Sequence, residues 1–361
     1  MSEPKEYSWM TKNTLMTYTF IALTILTAVS VIAWWPTSII LSIIAVTVSV
    51  ALDYLLSLLM KSKGPLNTMS AAVFGLIVAL SYTLALPNSS SFVFTIHLTL
   101  YYMPELLPMT APMAYVYVAA IASVGIILFK KGQGLLGRKY VNPAAGAKLL
   151  VFLPFLKNTL LAQAHANSIS LTGPIGYSFN IHSSAKDIFY GAFGPLLYEC
   201  FSNTARASDS VTPAEVFKTL ILLKYHSWVG GASSLAVILV GIGFFIAVRP
   251  YVKWRITLSY LVTVVVMALI MYGIYGGDAL LRIGFELFIG SSIFLAFFMA
   301  TDPATTPLTY LGQGIFGVGL GVLTVLIQMY LNFLGGSILA LIIMNLTSPL
   351  LDKVGLIKPT K

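Results

Sequence analysis

The sequence predicts an all-α integral membrane protein of about ten transmembrane helices, arranged as two inverted five-helix halves around one long extracytoplasmic loop. Three observations carry this expectation. Of 361 residues, 58% are hydrophobic and only 9% charged, whereas a soluble chain holds roughly a quarter charged residues to make a water-facing surface. The apolar residues gather into runs of about 20, enough to cross the hydrocarbon core as helix. Lysines and arginines cluster at alternate ends of those runs, the asymmetry that marks cytoplasmic loops.

The candidate spans are 15–35, 37–60, 66–86, 109–129 and 145–164, then 231–248, 256–275, 280–299, 314–333 and 336–351. They divide the chain into a first membrane half (1–164), an extracytoplasmic loop (165–230) and a second membrane half (231–361). The polar opening Met1–Asn13 precedes a run too long for a signal-peptide core, so it reads as a retained first span. With the N-terminus in the cytoplasm, Lys5 and Lys12, Lys61 and Lys63, Lys130, Lys131, Arg138 and Lys139, and Arg249, Lys253 and Arg255 all fall inside. Lys353, Lys358 and Lys361 follow the last span on the same side, so both termini are expected in the cytoplasm. An odd number of spans before the loop makes the second half run in the opposite sense to the first, and such inverted repeats place sites where interrupted helices meet.

Several chemistries are excluded or left without support. A single cysteine, Cys200, permits neither an internal disulfide nor a cysteine-ligated iron–sulfur cluster within the chain. The net charge of +9 is dispersed over span ends, not gathered into a basic stripe, so nucleic acid is not an expected partner. His165, His182 and His226 lie in the long loop at spacings that match no metal-ligand pattern, and no metal site is expected. Gly132–Gly137 spells GxGxxG, but no strand precedes it; it reads as a flexible connector.

Two polar stretches interrupt the pattern. The apolar run ending at Met299 meets Thr301-Asp302-Pro303 and then Thr305-Thr306-Pro307. Proline lacks an amide donor and disfavours helix in the residue before it, so the backbone freed here needs partners. Such a break is tolerated at a membrane boundary where it is buried in protein or lines a wet site; it also reads simply as an inter-helix loop with a capping Asp. Upstream stands Tyr140-Val141-Asn142-Pro143-Ala144, and Pro87–Pro108 is a further candidate interruption. Ionisable residues within apolar runs are Asp53, Lys148, Lys157, Asp278, Arg282 and Glu286. The last three are spaced by four, as in a salt-bridged ladder along one helix face. Lys148 is expected to snorkel to the inner surface, and Asp53 stands out as an unpaired acid suited to a cation path. Gly317 and Gly321, at GxxxG spacing, read as a close helix contact.

Phe298-Met299-Ala300-Thr301-Asp302-Pro303 with Thr305-Thr306-Pro307, Gly314-Ile315-Phe316-Gly317, Met344-Asn345-Leu346 and the Asn142-Pro143-Ala144 element together resemble the D subunit of Rnf electron-transport complexes, homologous to the B subunit of the sodium-translocating NADH:quinone reductase. The resemblance implies a urea-channel-like fold in the cytoplasmic membrane and partnership with other membrane, flavin or iron–sulfur subunits as well as lipid. It also implies a flavin, FMN or riboflavin, for which Asn142, Thr301, Asp302 and Thr306 are the candidate contacts. In the family, FMN is joined through its phosphate to a loop threonine in a pattern resembling Asp-x-x-Ser/Thr-x-Ala-Thr-Pro-Leu. Here Asp209-Ser210-Val211-Thr212-Pro213-Ala214-Glu215-Val216 places Glu215 at the acceptor position, where a carboxylate cannot form the ester. Thr212 is the best remaining hydroxyl, and covalent FMN is not expected. Thr212-Pro213-Ala214-Glu215 also reads as a helix cap. Two functions follow: an electron-transfer subunit of a redox-driven cation translocase, or a flavin-free channel, transporter or scaffold of the same fold.

Overall fold

In a computed structural model the described residues are 12–60, 68–82, 111–133, 139–153, 221–222, 228–249, 251–275, 279–288, 292–330 and 336–354. The Thr212 region, Pro87–Pro108, Lys157, Asp278 and the long-loop histidines lie outside them, as does the Arg282 side chain. Regular structure among the described residues is helical. The elements are α1 (Lys12–Trp34), α2 (Thr37–Leu59), α3 (Thr68–Leu80), α4 (Ala111–Val124, running into a π-helix Gly125–Gly132) and α5 (Pro143–Leu153). After a 3-10 turn at Val229–Gly231 come α6 (Ser234–Ala247), α7 (Trp254–Tyr275), α8 (Ala279–Phe288), α9 (Ser292–Phe294, running into a π-helix Leu295–Met299), α10 (Tyr310–Tyr330) and α11 (Gly336–Leu351). Five of these segments are long and apolar enough to cross a membrane, and α3, α5, α6 and α11 are shorter apolar helices.

The surface is the reverse of a soluble protein's. Ile32, Leu59, Leu239 and Ile246 are among the most exposed side chains, while buried positions carry Ser, Thr, Asn, Gln, Asp, Lys and Glu alongside the apolar core. Lipid replaces water outside, so apolar groups face out and polar groups need protein partners. Hydroxyls in α1 find them on their own helix: Thr19, Thr24 and Thr27 donate to the carbonyls of Leu15, Phe20 and Leu23.

α2 packs on α3 and α4, and α7 packs on α8 and α10, which in turn lies along α11; α1 joins the two groups through α6. Small residues set the closest approaches. A Cβ on Gly317 would overlap the Ser259 hydroxyl, and one on Gly321 would come within 2.8 Å of Thr263 Cβ and 3.1 Å of the Tyr260 carbonyl. The GxxxG pair is thus the seam between α7 and α10. Gly241 meets Phe297 in the same manner, whereas Gly243 and Gly314 face open space.

Two expectations about charge are corrected. Asp53 is not an unpaired acid: it is buried and held by Lys131 at 3.2 Å and Lys130 at 3.5 Å from α4, with Lys131 also donating to Ser57 Oγ at 2.9 Å. The lysines read as topology markers of one loop fold back on the preceding hairpin, because a carboxylate two helices away balances them. Lys148 does not snorkel; it is buried, its Nζ donating to the Ser81 carbonyl and lying 4.5 Å from the centre of the Trp228 ring. At the edges of the glycine-rich connector Gln133 Oε1 accepts from the Tyr140 and Val141 amides at 2.7 and 3.1 Å; residues 134–138 lie outside the described residues.

Candidate functional site

The break after Met299 is built by satisfying, one by one, the carbonyls its irregular backbone releases. The π turn bonds Ala300 N to Leu295 O at 2.8 Å, leaving neighbouring carbonyls without the usual helical donors. Thr257 Oγ1 of α7 donates to Ala296 O at 2.6 Å, and Thr301 Oγ1 donates back to Phe297 O at 2.9 Å. The Met299 carbonyl receives Asn142 Nδ2 from the other half of the chain at 3.3 Å.

Asn142 has a second task. Its Oδ1 accepts from the Ala144 and Ala145 amides at 3.0 and 3.3 Å, which caps α5 as Asn caps a helix N-terminus. Pro143 at the first helical position has no amide to satisfy, and its fixed φ suits the helix start. Asn142 therefore starts one helix and closes the end of another. Asn345 of α11, in the amide orientation its surroundings dictate, accepts from the Asn142 amide at 3.0 Å and donates to Thr305 O at 3.2 Å. Ser348 Oγ also donates to Thr305 O, at 2.8 Å. Three motifs far apart in the sequence converge on one buried knot.

Toward the exposed side of the knot, Lys253 clamps the Pro303–Thr306 turn: its Nζ donates to Thr306 Oγ1 at 2.8 Å, Thr306 O at 2.9 Å and Pro303 O at 3.2 Å. Thr306 Oγ1 donates in turn to Asp302 O at 2.6 Å. The Asp302 carboxylate accepts from Ala304 N at 3.0 Å and is half-buried, while Pro303 and Ala304 are exposed. Gln313 Nε2 reaches the Pro307 and Leu308 carbonyls, and Asp352 Oδ1 accepts from Leu308 N at 2.8 Å. The chain then re-enters helix at Tyr310, stacked against Arg255 at 3.9 Å.

Four of the five residues expected at a flavin thus sit together, and the fifth, Thr212, lies outside the described residues. Asn142, Thr301 and Thr306 have their polar atoms engaged inside the protein, so they fit a flavin poorly as direct ligands. Lys253 is the nearby cation suited to a phosphate, but its ammonium is already shared among three oxygens. The Thr305 hydroxyl is left buried without a hydrogen-bond partner. No group of metal-ligating side chains occurs among the described residues. Sequence reasoning missed Lys253, Thr257 and Ser348. Lysine at a span end looks like a topology signal, and a lone hydroxyl in an apolar helix carries no signal at all.

Comparison with known proteins places the same residues in one family. The profile of the NQR2, RnfD, RnfE family matches residues 96–360, which take in Asn142, the break and Asn345. The D subunit of an ion-translocating oxidoreductase complex of Pectobacterium atrosepticum is 30% identical over 263 residues, covering 68% of this chain and 72% of that one. The D subunit of the Na(+)-translocating ferredoxin:NAD(+) oxidoreductase complex of Acetobacterium woodii is 25% identical over 321 residues, 87% of this chain and 80% of that one. Its counterpart in the proton-translocating complex of Clostridium ljungdahlii is 28% identical over 245 residues, 66% of each. The match extends across most of the chain and includes every segment of the knot: this protein is a membrane-embedded member of the NQR2, RnfD, RnfE family.

Proposed function

We propose that the chain is the D-type membrane subunit of an Rnf-type complex that couples electron transfer between ferredoxin and a nicotinamide to ion movement. The observation that carries this is the knot: Asn142, the Met299–Thr306 turn and Asn345, far apart in sequence, are tied by the protein's own hydrogen bonds, and all fall in the segment shared with subunits of that name. A purely passive loop would not need donors drawn from three separate helices.

The ten-span arrangement with two inverted halves and both termini in the cytoplasm belongs to the same reading. Supporting it, α2 contacts α3 and α4 as α7 contacts α8 and α10, the pairing an internal repeat produces. The boundaries 1–164, 165–230 and 231–361 follow from it. The knot then lies on the cytoplasmic face of the cell membrane. A tag at either terminus resists external protease in intact cells, while one inserted near Ser208 is cut. Cleavage of a terminal tag overturns the topology.

For flavin, the reading gives Asn142, Thr301, Asp302 and Thr306 a supporting part: they hold the backbone of the turn, and a flavin, if bound nearby, would supply the redox chemistry itself. Covalent FMN is not expected at Thr212, since Glu215 adds charge beside it. The test is purification of the tagged chain from native membranes. Co-elution of redox subunits and a flavin spectrum released by acid support the proposal; a colourless chain eluting alone, from cells whose ferredoxin:NAD(+) activity survives its deletion, favours a channel or scaffold and refutes it. Mass spectrometry of peptide 207–218 settles the ester, which an FMN adduct on Thr212 would establish against the expectation.

A further inference from the structure

At the end of the molecule where the knot lies, α7 and α10 begin side by side and run in the same sense. Tyr310 meets Arg255, Gly317 meets Ile256 and Ser259, and Gly321 meets Tyr260 and Thr263. At about 3.6 residues per turn, helices touching through these positions turn Leu258 of α7 and Leu311 and Ile315 of α10 to one side of the seam. All three are exposed, by 54%, 57% and 41%. Beside the seam on that face, Gly314 lacks a side chain, and a Cβ built on it would meet nothing within 4 Å. The two helices thus leave a shallow apolar groove open to lipid.

The head of the groove is cationic. The Arg255 guanidinium carbon lies 3.9 Å from the centre of the Tyr310 ring and 4.9 Å from that of Trp254, and both rings are exposed. Tyrosine and tryptophan favour the headgroup level of a bilayer, and stacking on them restrains the planar guanidinium. Its N–H groups have no hydrogen-bond or ion-pair acceptor among the described residues. The acids at this end are engaged elsewhere: Asp302 accepts from the Ala304 amide and Asp352 from the Leu308 amide. An arginine that only marked the membrane boundary would extend into water, whereas this one is held against two rings with its donors unfilled.

A restrained guanidinium offers two parallel donors, the geometry that suits a phosphate. The apolar groove leading from it into the membrane suits acyl chains, which a soluble anion lacks. With no carboxylate in contact, the charge of Arg255 calls for a ligand of net negative charge. A glycerol headgroup leaves the phosphate charge to the protein, while choline brings its own cation. We propose that Arg255, Trp254 and Tyr310, with the groove between α7 and α10, bind one anionic phospholipid of the phosphatidylglycerol class in the leaflet on the side of the knot. Arg255 follows the clamping Lys253 by two residues, and Tyr310 opens α10 just beyond the turn, so the lipid braces the same end that the knot ties. The site stands on helix packing and charge and does not depend on the electron-transfer reading.

The test is thermal unfolding of the detergent-purified full chain titrated with phosphatidylglycerol or phosphatidylcholine, with native mass spectrometry counting the lipids retained. Wild type is expected to show a saturable rise in melting temperature with phosphatidylglycerol, at one lipid per chain, and little with phosphatidylcholine. Arg255→Gln raises the half-saturating phosphatidylglycerol about fivefold, corresponding to about 1 kcal/mol. Arg255→Lys, which keeps the charge and loses the planar fork, gives a smaller shift, and Tyr310→Leu shifts the curve in the same direction. Lys353→Gln, which removes an exposed charge at the same end, leaves it unchanged. If Arg255→Gln does not fold, Tyr310→Leu and Arg255→Lys decide. An equal response of wild type to both lipids, a rise that never saturates, or a loss shared by Lys353→Gln shows only general attraction to an anionic surface and overturns the site. So does an unchanged phosphatidylglycerol curve in the Arg255 variants; if partner subunits are then lost from the native complex, an acidic side chain of a partner holds the guanidinium instead.

Discussion

Replacing Asn142 by alanine removes three hydrogen bonds at one stroke, and the structure lets each be assigned. Loss of Oδ1 uncaps α5, whose Ala144 and Ala145 amides it accepts, at about 1 kcal/mol. Loss of Nδ2 strands the buried Met299 carbonyl, whose remaining donor is Asp302 N at 3.4 Å, adding about 1–2 kcal/mol. The sum is about 2–3 kcal/mol, a large fraction of a typical folding free energy. Serine separates the contributions, because it can cap the helix but is too short to span to Met299. The melting temperature of the detergent-purified chain, followed by size-exclusion after heating, is expected to fall in the order wild type, Asn142→Ser, Asn142→Ala. Combining Asn142→Ala with Asn345→Ala should be less than additive, since both residues hold the same turn. Equal melting of the serine and alanine variants would show that the contact across the halves contributes nothing, and a wild-type value for alanine would reduce the knot to an ordinary loop.

Lys253→Met frees three oxygens of the Pro303–Thr306 turn from a charge-assisted donor; limited proteolysis of the detergent-purified chain should then cut near Ala304 several-fold faster, and Lys253→Gln should restore only part of the protection. Gly317→Ala drives a methyl group into Ser259 and the Ile256 carbonyl, so it should lower stability by about 1–3 kcal/mol, whereas Gly243→Ala and Gly314→Ala, which face open space, should melt as wild type. Asp53→Ala leaves Lys130 and Lys131 with buried charge and lost balance and should be more damaging than Asp53→Ala with Lys130→Met, measured as expression of folded protein.

The break illustrates where reading residues in order succeeds. Pro303 and Pro307 end any helix by local chemistry alone, and Asn142 before Pro143 announces a capped start, because proline's missing amide and fixed φ act within one or two residues. The membrane class was equally legible, since transfer of apolar runs into lipid depends on composition and length and hardly on context. Pairing was not. Asp53 looked like a lone acid and Lys148 like a snorkelling base because sequence shows neither the lysines of α4 beside one nor the Ser81 carbonyl and Trp228 ring beside the other. The same holds for Lys253, Thr257 and Ser348, whose partners are carbonyls 39 to 53 residues away. By itself the sequence determined the membrane class and the helix ends that proline sets at Pro143 and Pro303, which are local free energies. Only the tertiary structure decided which buried polar groups meet, because a hydrogen bond or ion pair in lipid is fixed by the distance between helices and leaves no periodicity along either one.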